Sequence, residues 1–123
     1  MPKPSLVGLL ARDIPEVGIE AAVKRFRETR TRRPDDFQVS EQELNVLGYS
    51  LLTEGKAENA VVVFQLMVEA YPESANAYDS LGEGLAATGR KEEAVKSYAK
   101  SLELNPQNRN AVTWLQKLLL ESQ

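Results

Sequence analysis

Ser40 to Pro72 reads SEQELNVLGYSLLTEGKAENAVVVFQLMVEAYP, and Ser74 to Pro106 reads SANAYDSLGEGLAATGRKEEAVKSYAKSLELNP. Laid over one another at a spacing of 34 residues, they match Leu47-Gly48 with Leu81-Gly82, Leu51 with Leu85, Gly55 with Gly89, and Ala60-Val61 with Ala94-Val95. Glu58 and Glu92, Glu69 and Glu103, and Pro72 and Pro106 also coincide, while Phe64 stands opposite Tyr98 and Lys56 opposite Arg90. A fixed period of this length marks stacked supersecondary units, each too small to bury its apolar face alone.

Within one period the apolar residues call for two helices. Leu44, Leu47 and Leu51, then Ala60, Phe64 and Met67, recur at helical spacing and give each helix one stripe. Gly55-Lys56 and Gly89-Arg90 mark the turn inside each hairpin, glycine allowing the left-handed backbone that closes a helix. Pro72 and Pro106 end the second helices, because proline cannot continue the hydrogen-bond ladder. Ser40, Ser74 and Asn108 stand one period apart, and each can accept from the orphan N–H groups of a first turn. Ser40 and Glu43 have the spacing of a capping box. Gly48 and Gly82 fall inside helices, where glycine costs about 1 kcal/mol against alanine. Close helix approach is the expected compensation, with Ala60 and Ala94 as the small residues opposite. The run Val61-Val62-Val63 is a poor helix former that packing must override.

This order of leucines, glycines, alanines, aromatics and prolines resembles the tetratricopeptide repeat. The resemblance implies an all-α fold of antiparallel helical hairpins stacked as a short right-handed superhelix. Seven helices are predicted, over 5–14, 19–33, 41–54, 57–70, 75–88, 91–104 and 108–121, in a single helical repeat domain over 1–123. Residues 1–36 are a degenerate N-terminal hairpin, 41–74 and 75–107 are repeats, and 108–121 is a capping helix. In the degenerate hairpin Ala22, Phe26 and Pro34 have the spacing of Ala60, Phe64 and Pro72. Leu6 and Leu9 stand for Leu44 and Leu47, out of phase by four residues that an insertion at Phe37-Gln38-Val39-Ser40 absorbs. Pro15 is expected to end the first helix and Gly18 to make the turn. In the cap, Val112, Leu115 and Leu119 continue the register of Leu44, Leu47 and Leu51, and Trp114, Leu118 and Leu120 widen its apolar surface.

A narrower resemblance runs through Gly18-Ile19-Glu20-Ala21-Ala22-Val23, Pro34-Asp35-Asp36, Ser40 to Tyr49 and Ala77 to Glu83. These segments are similar to the helical tails that follow bacterial serine hydrolases of the β-lactamase-like or esterase type. That implies a second reading, an accessory C-terminal domain that stabilises or positions a serine hydrolase. An exported hydrolase would place it in the periplasm or outside the cell, against a cytoplasmic default.

Composition narrows the function classes. Of the 123 residues 42% are hydrophobic and 27% charged, the balance of a folded globular chain. There is no cysteine and no histidine, which removes the commonest nucleophile, general base and metal ligands together. No enzyme, cofactor or metal is expected. No apolar run reaches the roughly 18 residues of a membrane span, and no signal-peptide pattern follows Met1-Pro2-Lys3-Pro4. The net charge of -3 is uneven: residues 1–36 hold eight basic and six acidic side chains, the rest seven and twelve.

Three motifs tempt. Ser97-Tyr98-Ala99-Lys100 fits the S-x-x-K of penicillin-recognising enzymes, without the second polar triad or the strand they need. Gly82-Glu83-Gly84-Leu85-Ala86-Ala87 fits a loose dinucleotide fingerprint, but in mid-helix with no strand before it. Lys24, Arg25, Arg27, Arg30, Arg32 and Arg33 could meet phosphates, yet only Phe26 interleaves them, so nucleic acid is a distant alternative.

The leading expectation is a non-catalytic module that presents a concave groove to a peptide or protein partner. First helices line the concave face of such arrays. Register places there Gln42, Asn45, Tyr49 and Leu52, then Asn76, Asp79, Glu83 and Ala86, then Asn110, Thr113 and Lys117. One subclass of the resembled family grips a peptide C-terminal carboxylate with lysine, arginine and asparagine. Here Asp79 and Glu83 stand where those cations belong, which favours a basic or neutral peptide.

Overall fold

The computed structural model describes residues 2–121, so the outermost residues of the expected domain, 1, 122 and 123, lie outside the described residues. Seven helices follow one another: α1 Leu6–Val17, α2 Ile19–Arg32, α3 Glu41–Thr53, α4 Ala57–Ala70, α5 Ala75–Ala87, α6 Lys91–Leu104 and α7 Arg109–Glu121. They pair as the hairpins α1/α2, α3/α4 and α5/α6, with α4 packed on α5 and α7 closing against α6. The first helices α1, α3 and α5 also touch in sequence, which sets them side by side on one face.

The period is visible in the caps. Ser40 and Ser74 accept from the backbone N–H three residues on, each at 3.2 Å, and the Asn108 side chain does the same for Ala111 at 3.3 Å. Gly55 and Gly89 have φ of 79° and 78°. Their N–H groups bond Leu52 and Ala86, while Lys56 and Arg90 reach Leu51 and Leu85, the paired bonds of a Schellman end. Only half of the capping box forms. The Glu43 carboxylate accepts from the Ser5 hydroxyl at 2.9 Å and makes no bond to the Ser40 N–H. Ser5 is itself the N-cap of α1, accepting from Gly8 at 2.9 Å.

The four-residue insertion has a structural use. Gln38 makes a short parallel bridge with the start of the chain: Leu6 donates to its carbonyl and its own N–H donates to Pro4, both at 2.9 Å. The Tyr71 hydroxyl donates to Val39 at 3.0 Å, and Phe37 and Val39 pack on the core. Pro15 does not end α1, which continues to Val17. A proline forfeits its own N–H and its ring crowds the carbonyl four residues back, but its fixed φ is helical and the backbone after it is free to continue. Pro15 and Ala11 both lie on the exposed side, so the lost bond faces solvent. Gly18, at φ 88°, makes the break.

The core is two clusters that share Leu81. One gathers α1 to α4 and Ala77 of α5 around Leu10, Phe26, Leu44, Phe64 and Met67, and the other gathers α5 to α7 and Val61 of α4 around Leu85, Ala94, Tyr98 and Leu118. Val61 and Val63 are buried on α4, so packing does overcome their weak propensity. The interior glycines are explained by rings and not by Ala60 and Ala94. A Cβ on Gly48 would lie 2.2 Å from the Phe64 ring, and one on Gly82 would lie 2.9 Å from that of Tyr98.

Helix α7 departs from the expected register. It buries Ala111 and Leu118, half-buries Trp114 and Leu115, and leaves Val112, Leu119 and Leu120 exposed. Val112 and Leu119 continue the stripe that α3 and α5 turn toward the second helix of their own hairpin. Among the described residues α7 has no such partner, so only the face toward α6 is covered. Gln116 occupies the position of Gly48 and Gly82 in the period.

Candidate functional site

Because α3, α5 and α7 are related by one period, the expected groove residues fall in rows across the three helices. Gln42, Asn76 and Asn110 form an exposed row of amides near the helix starts. Asn45, Asp79 and Thr113 form the next row, with Asn45 and Asp79 half-buried, and Tyr49, Glu83 and Lys117 form the third.

The structure divides this set in two. Gln42, Asn45 and Asn76 line an open, polar cavity of about 700 Å³ together with Ser40, Glu41, Ser74, Ala75 and Asn105. The floor of that cavity is fixed by hydrogen bonds between hairpins. The Ser74 hydroxyl donates to Glu41, and Ser80 donates to the Asn45 side-chain oxygen at 2.6 Å. Further along the helices, Tyr49 donates to Glu83 at 3.1 Å, and the amides of Asn108 and Asn110 each donate to Asp79 at 2.7 Å. Both carboxylates of α5 therefore rest on neutral donors, and among the described residues neither forms an ion pair. Lys117 lays its ammonium over the Trp114 ring, 4.8 Å from the centroid.

Tyr49 is less open than its position suggests. Its ring meets Phe64 edge-on with centroids 5.2 Å apart, and burial, aided by the Glu83 charge, pushes its phenol up to about 12. It presents an edge and a committed hydroxyl, so the exposed amides are the better contacts for a ligand. Sequence reasoning passed over Glu41 and Ser80, and took Asn108 only as a cap. Ser80 lies one period after Val46 and one before Trp114, and a polar residue at a position otherwise apolar was the available signal.

The tempting motifs have structural uses. The Ser97 hydroxyl, 6% exposed, donates to the Tyr78 carbonyl at 2.7 Å, and Lys100 lies 3.5 Å from Glu103. Gly82 and Gly84 lie under the rings of Tyr98 and Phe64. Of the basic run on α2, Arg25 makes a two-oxygen contact with buried Asp13, Arg27 pairs with Glu69 and Arg33 with Asp36. Phe26 is buried. Among the described residues no three carboxylates gather as a metal ion would require, and no helix is long and apolar enough to cross a membrane.

With hairpin, turn, cap and aromatic-over-glycine contact all recurring one period apart, comparison with known proteins gives a consistent result. Residues 75–108 match the family model of the tetratricopeptide repeat. The fold is that of tetratricopeptide repeats. Among solved structures, the chain is similar to the first TPR of Spaghetti (RPAP3) bound to the HSP90 peptide SRMEEVD. That match has 21% identity and a TM-score of 0.64, and covers 90% of this chain and 86% of the other. The first TPR domain of human RPAP3 aligns at 20% identity and a TM-score of 0.64, covering 94% and 91% of the two chains. MamA AMB-1 aligns at 22% and 0.60, covering 92% of this chain and 60% of its own. No curated protein sequence matches the chain. At these identities the likeness speaks to the fold alone.

Proposed function

We propose that this tetratricopeptide chain is a non-catalytic interaction module that holds an extended peptide or protein segment along α3, α5 and α7. The observation that supports the reading is the exposed amide row Gln42, Asn76 and Asn110, stepped from helix to helix beside a polar cavity of about 700 Å³. Side-chain amides carry donor and acceptor together, so they suit the backbone of an extended chain whatever its side chains. The similar RPAP3 domain was solved with a peptide, which supports a peptide or protein segment as the partner. A serine hydrolase domain as the partner rests on sequence resemblance alone. Nucleic acid is disfavoured, because three of the six cations of the run from Lys24 to Arg33 are already paired.

Peptide-array binding measured on the wild type, on Gln42→Ala with Asn76→Ala, and on Lys24→Gln with Arg30→Gln and Arg32→Gln tests this. Both sets are exposed, so neither should disturb the fold. The amide pair should weaken binding by about tenfold, in the range of a central contact. Loss of binding only in the α2 variant would move the function to the basic helix.

A further inference from the structure

Between α1 and α2 lies a hollow of about 260 Å³ that shares no residue with the groove. Its floor is apolar: Leu6, Leu10 and Phe26 are buried, while Leu9 and Phe37 are half-buried and open to it. Arg12, Asp13, Arg25, Thr29 and Arg33 supply the polar lining.

Carried across the four-residue insertion, Asp13 stands where the repeats have Leu51 and Leu85, and Arg25 where they have Val63 and Ser97. All four of those are buried and none is charged. The first hairpin puts an ion pair there instead, with a carboxylate side chain only 4% exposed. Such a pair gives no more stability than packed apolar side chains. The first unit of an array does need a polar outer face, but hydrated lysines would provide one without burying a carboxylate.

What the ion pair provides is aim. Arg25 Nη1 lies 3.1 Å from both oxygens of Asp13, which holds the guanidinium at the hollow. Arg33 donates through Nε to Asp36 at 2.8 Å and lies over the Phe37 ring, 5.2 Å from its centroid. Each guanidinium is thus fixed through one nitrogen and keeps two others to offer. Arg12 forms no ion pair among the described residues. Three guanidinium charges against the two carboxylates Asp13 and Asp36 leave a net charge of one, positive, around the hollow.

We infer that this hollow binds a small apolar monocarboxylate, its chain on Leu9 and Phe37 and its carboxylate among Arg12, Arg25 and Arg33. A guanidinium offers its N–H groups as a planar fork that matches a carboxylate, and one already held in place loses little freedom on binding. One net positive charge answers one negative charge. The volume falls just below the roughly 300–1,000 Å³ of sites for drug-sized ligands, which limits the guest to about the size of a leucine residue. A free branched-chain acid and the C-terminal leucine of a peptide both present that chemistry.

Ligand-observed NMR titrations of the full chain with 4-methylpentanoate, with its amide and with a tetrapeptide ending in leucine test this. The acid should bind at about millimolar concentration, about tenfold more tightly than the amide, and less tightly as salt is added. Arg12→Gln and Arg33→Gln, at exposed positions, should each weaken it by about tenfold. Thr29→Met, which places a longer side chain in the hollow, should abolish it, with a thermal melt to show that the variant is folded. Arg30→Gln with Arg32→Gln removes more charge from the same helix outside the hollow and should leave binding unchanged. Saturation by the acid alone assigns the site to a free acid, and saturation by the peptide assigns it to a chain end; either supports the inference. Equal binding of acid and amide, no saturable binding, a folded Thr29→Met protein that still binds, or equal losses in the Arg12 and the Arg30 with Arg32 variants would overturn it.

Discussion

A missing side chain is what lets α3 lie against α4. The Phe64 ring occupies the space where a Cβ on Gly48 would stand, at 2.2 Å, and Tyr98 does the same over Gly82 at 2.9 Å. Gly8 is the internal control, because a Cβ there meets Ser5 at an ordinary 3.5 Å on an exposed face. Gly48→Ala is expected to destabilise by about 1–3 kcal/mol through overpacking, and Gly82→Ala by less. Gly8→Ala should stabilise by up to roughly 0.5–1 kcal/mol, since in the first turn of α1 only the greater backbone freedom of glycine in the unfolded chain remains to be removed. Urea unfolding of the three variants checks the order, and a destabilised Gly8→Ala would remove the steric explanation. Recurrence of Gly48 and Gly82 was legible in the sequence as close approach. That rings fill the space, and not Ala60 and Ala94, was not legible, because spacing along one helix does not say which residue of its neighbour lies opposite.

Helix bounds were read with small error throughout, except at the C-terminal end of α1. The ends of α3 to α6 fell within about one residue of expectation, because glycine, proline and cap signals repeat there and check each other. Helix α1 outran its proline since Ala11 and Pro15 face outward, a fact about burial that the sequence does not carry. Helix α7 kept the period in its residues but lost the second helix that gives the stripe its meaning. Leu118→Ala should therefore cost about 2–5 kcal/mol, as for a buried leucine, while Leu119→Ala and Val112→Ala should stay within roughly 0.5 kcal/mol. Thermal melts of the three separate the observed register from the one carried over from α3 and α5, which would make Leu119 the costly position.

Across the molecule, polar groups as well as the apolar core tie the repeats together. Tyr49, Tyr71 and Tyr98 are each raised above the ordinary phenol range, in every case first by burial. Unfolded, they would ionise near their usual value of about 10, so they favour the folded state fully below that pH. As the pH rises from about 10 through the folded values the unfolded chain releases protons that the folded chain keeps, and stability falls. Alkaline titration should show phenolate absorbance from these residues appearing together with loss of the helical circular-dichroism signal. Ionisation of all of them well before any loss of helix would contradict it. The same network shows how far the groove could be read in advance: register put Asn45, Tyr49, Asp79 and Glu83 on adjoining helices. Their bonds to Ser80, to one another and to Asn108 depend on side-chain direction, which one sequence does not give.

The glutamine at position 116 breaks the glycine pattern of the two repeats. The hairpins α3/α4 and α5/α6 close by seating an aromatic ring on a bare α-carbon, and α7 offers an amide-bearing side chain at the equivalent place. A designer lengthening this array by a copy of its two repeats would restore glycine at 116, so that an aromatic ring of the added helix could seat there as Phe64 and Tyr98 do.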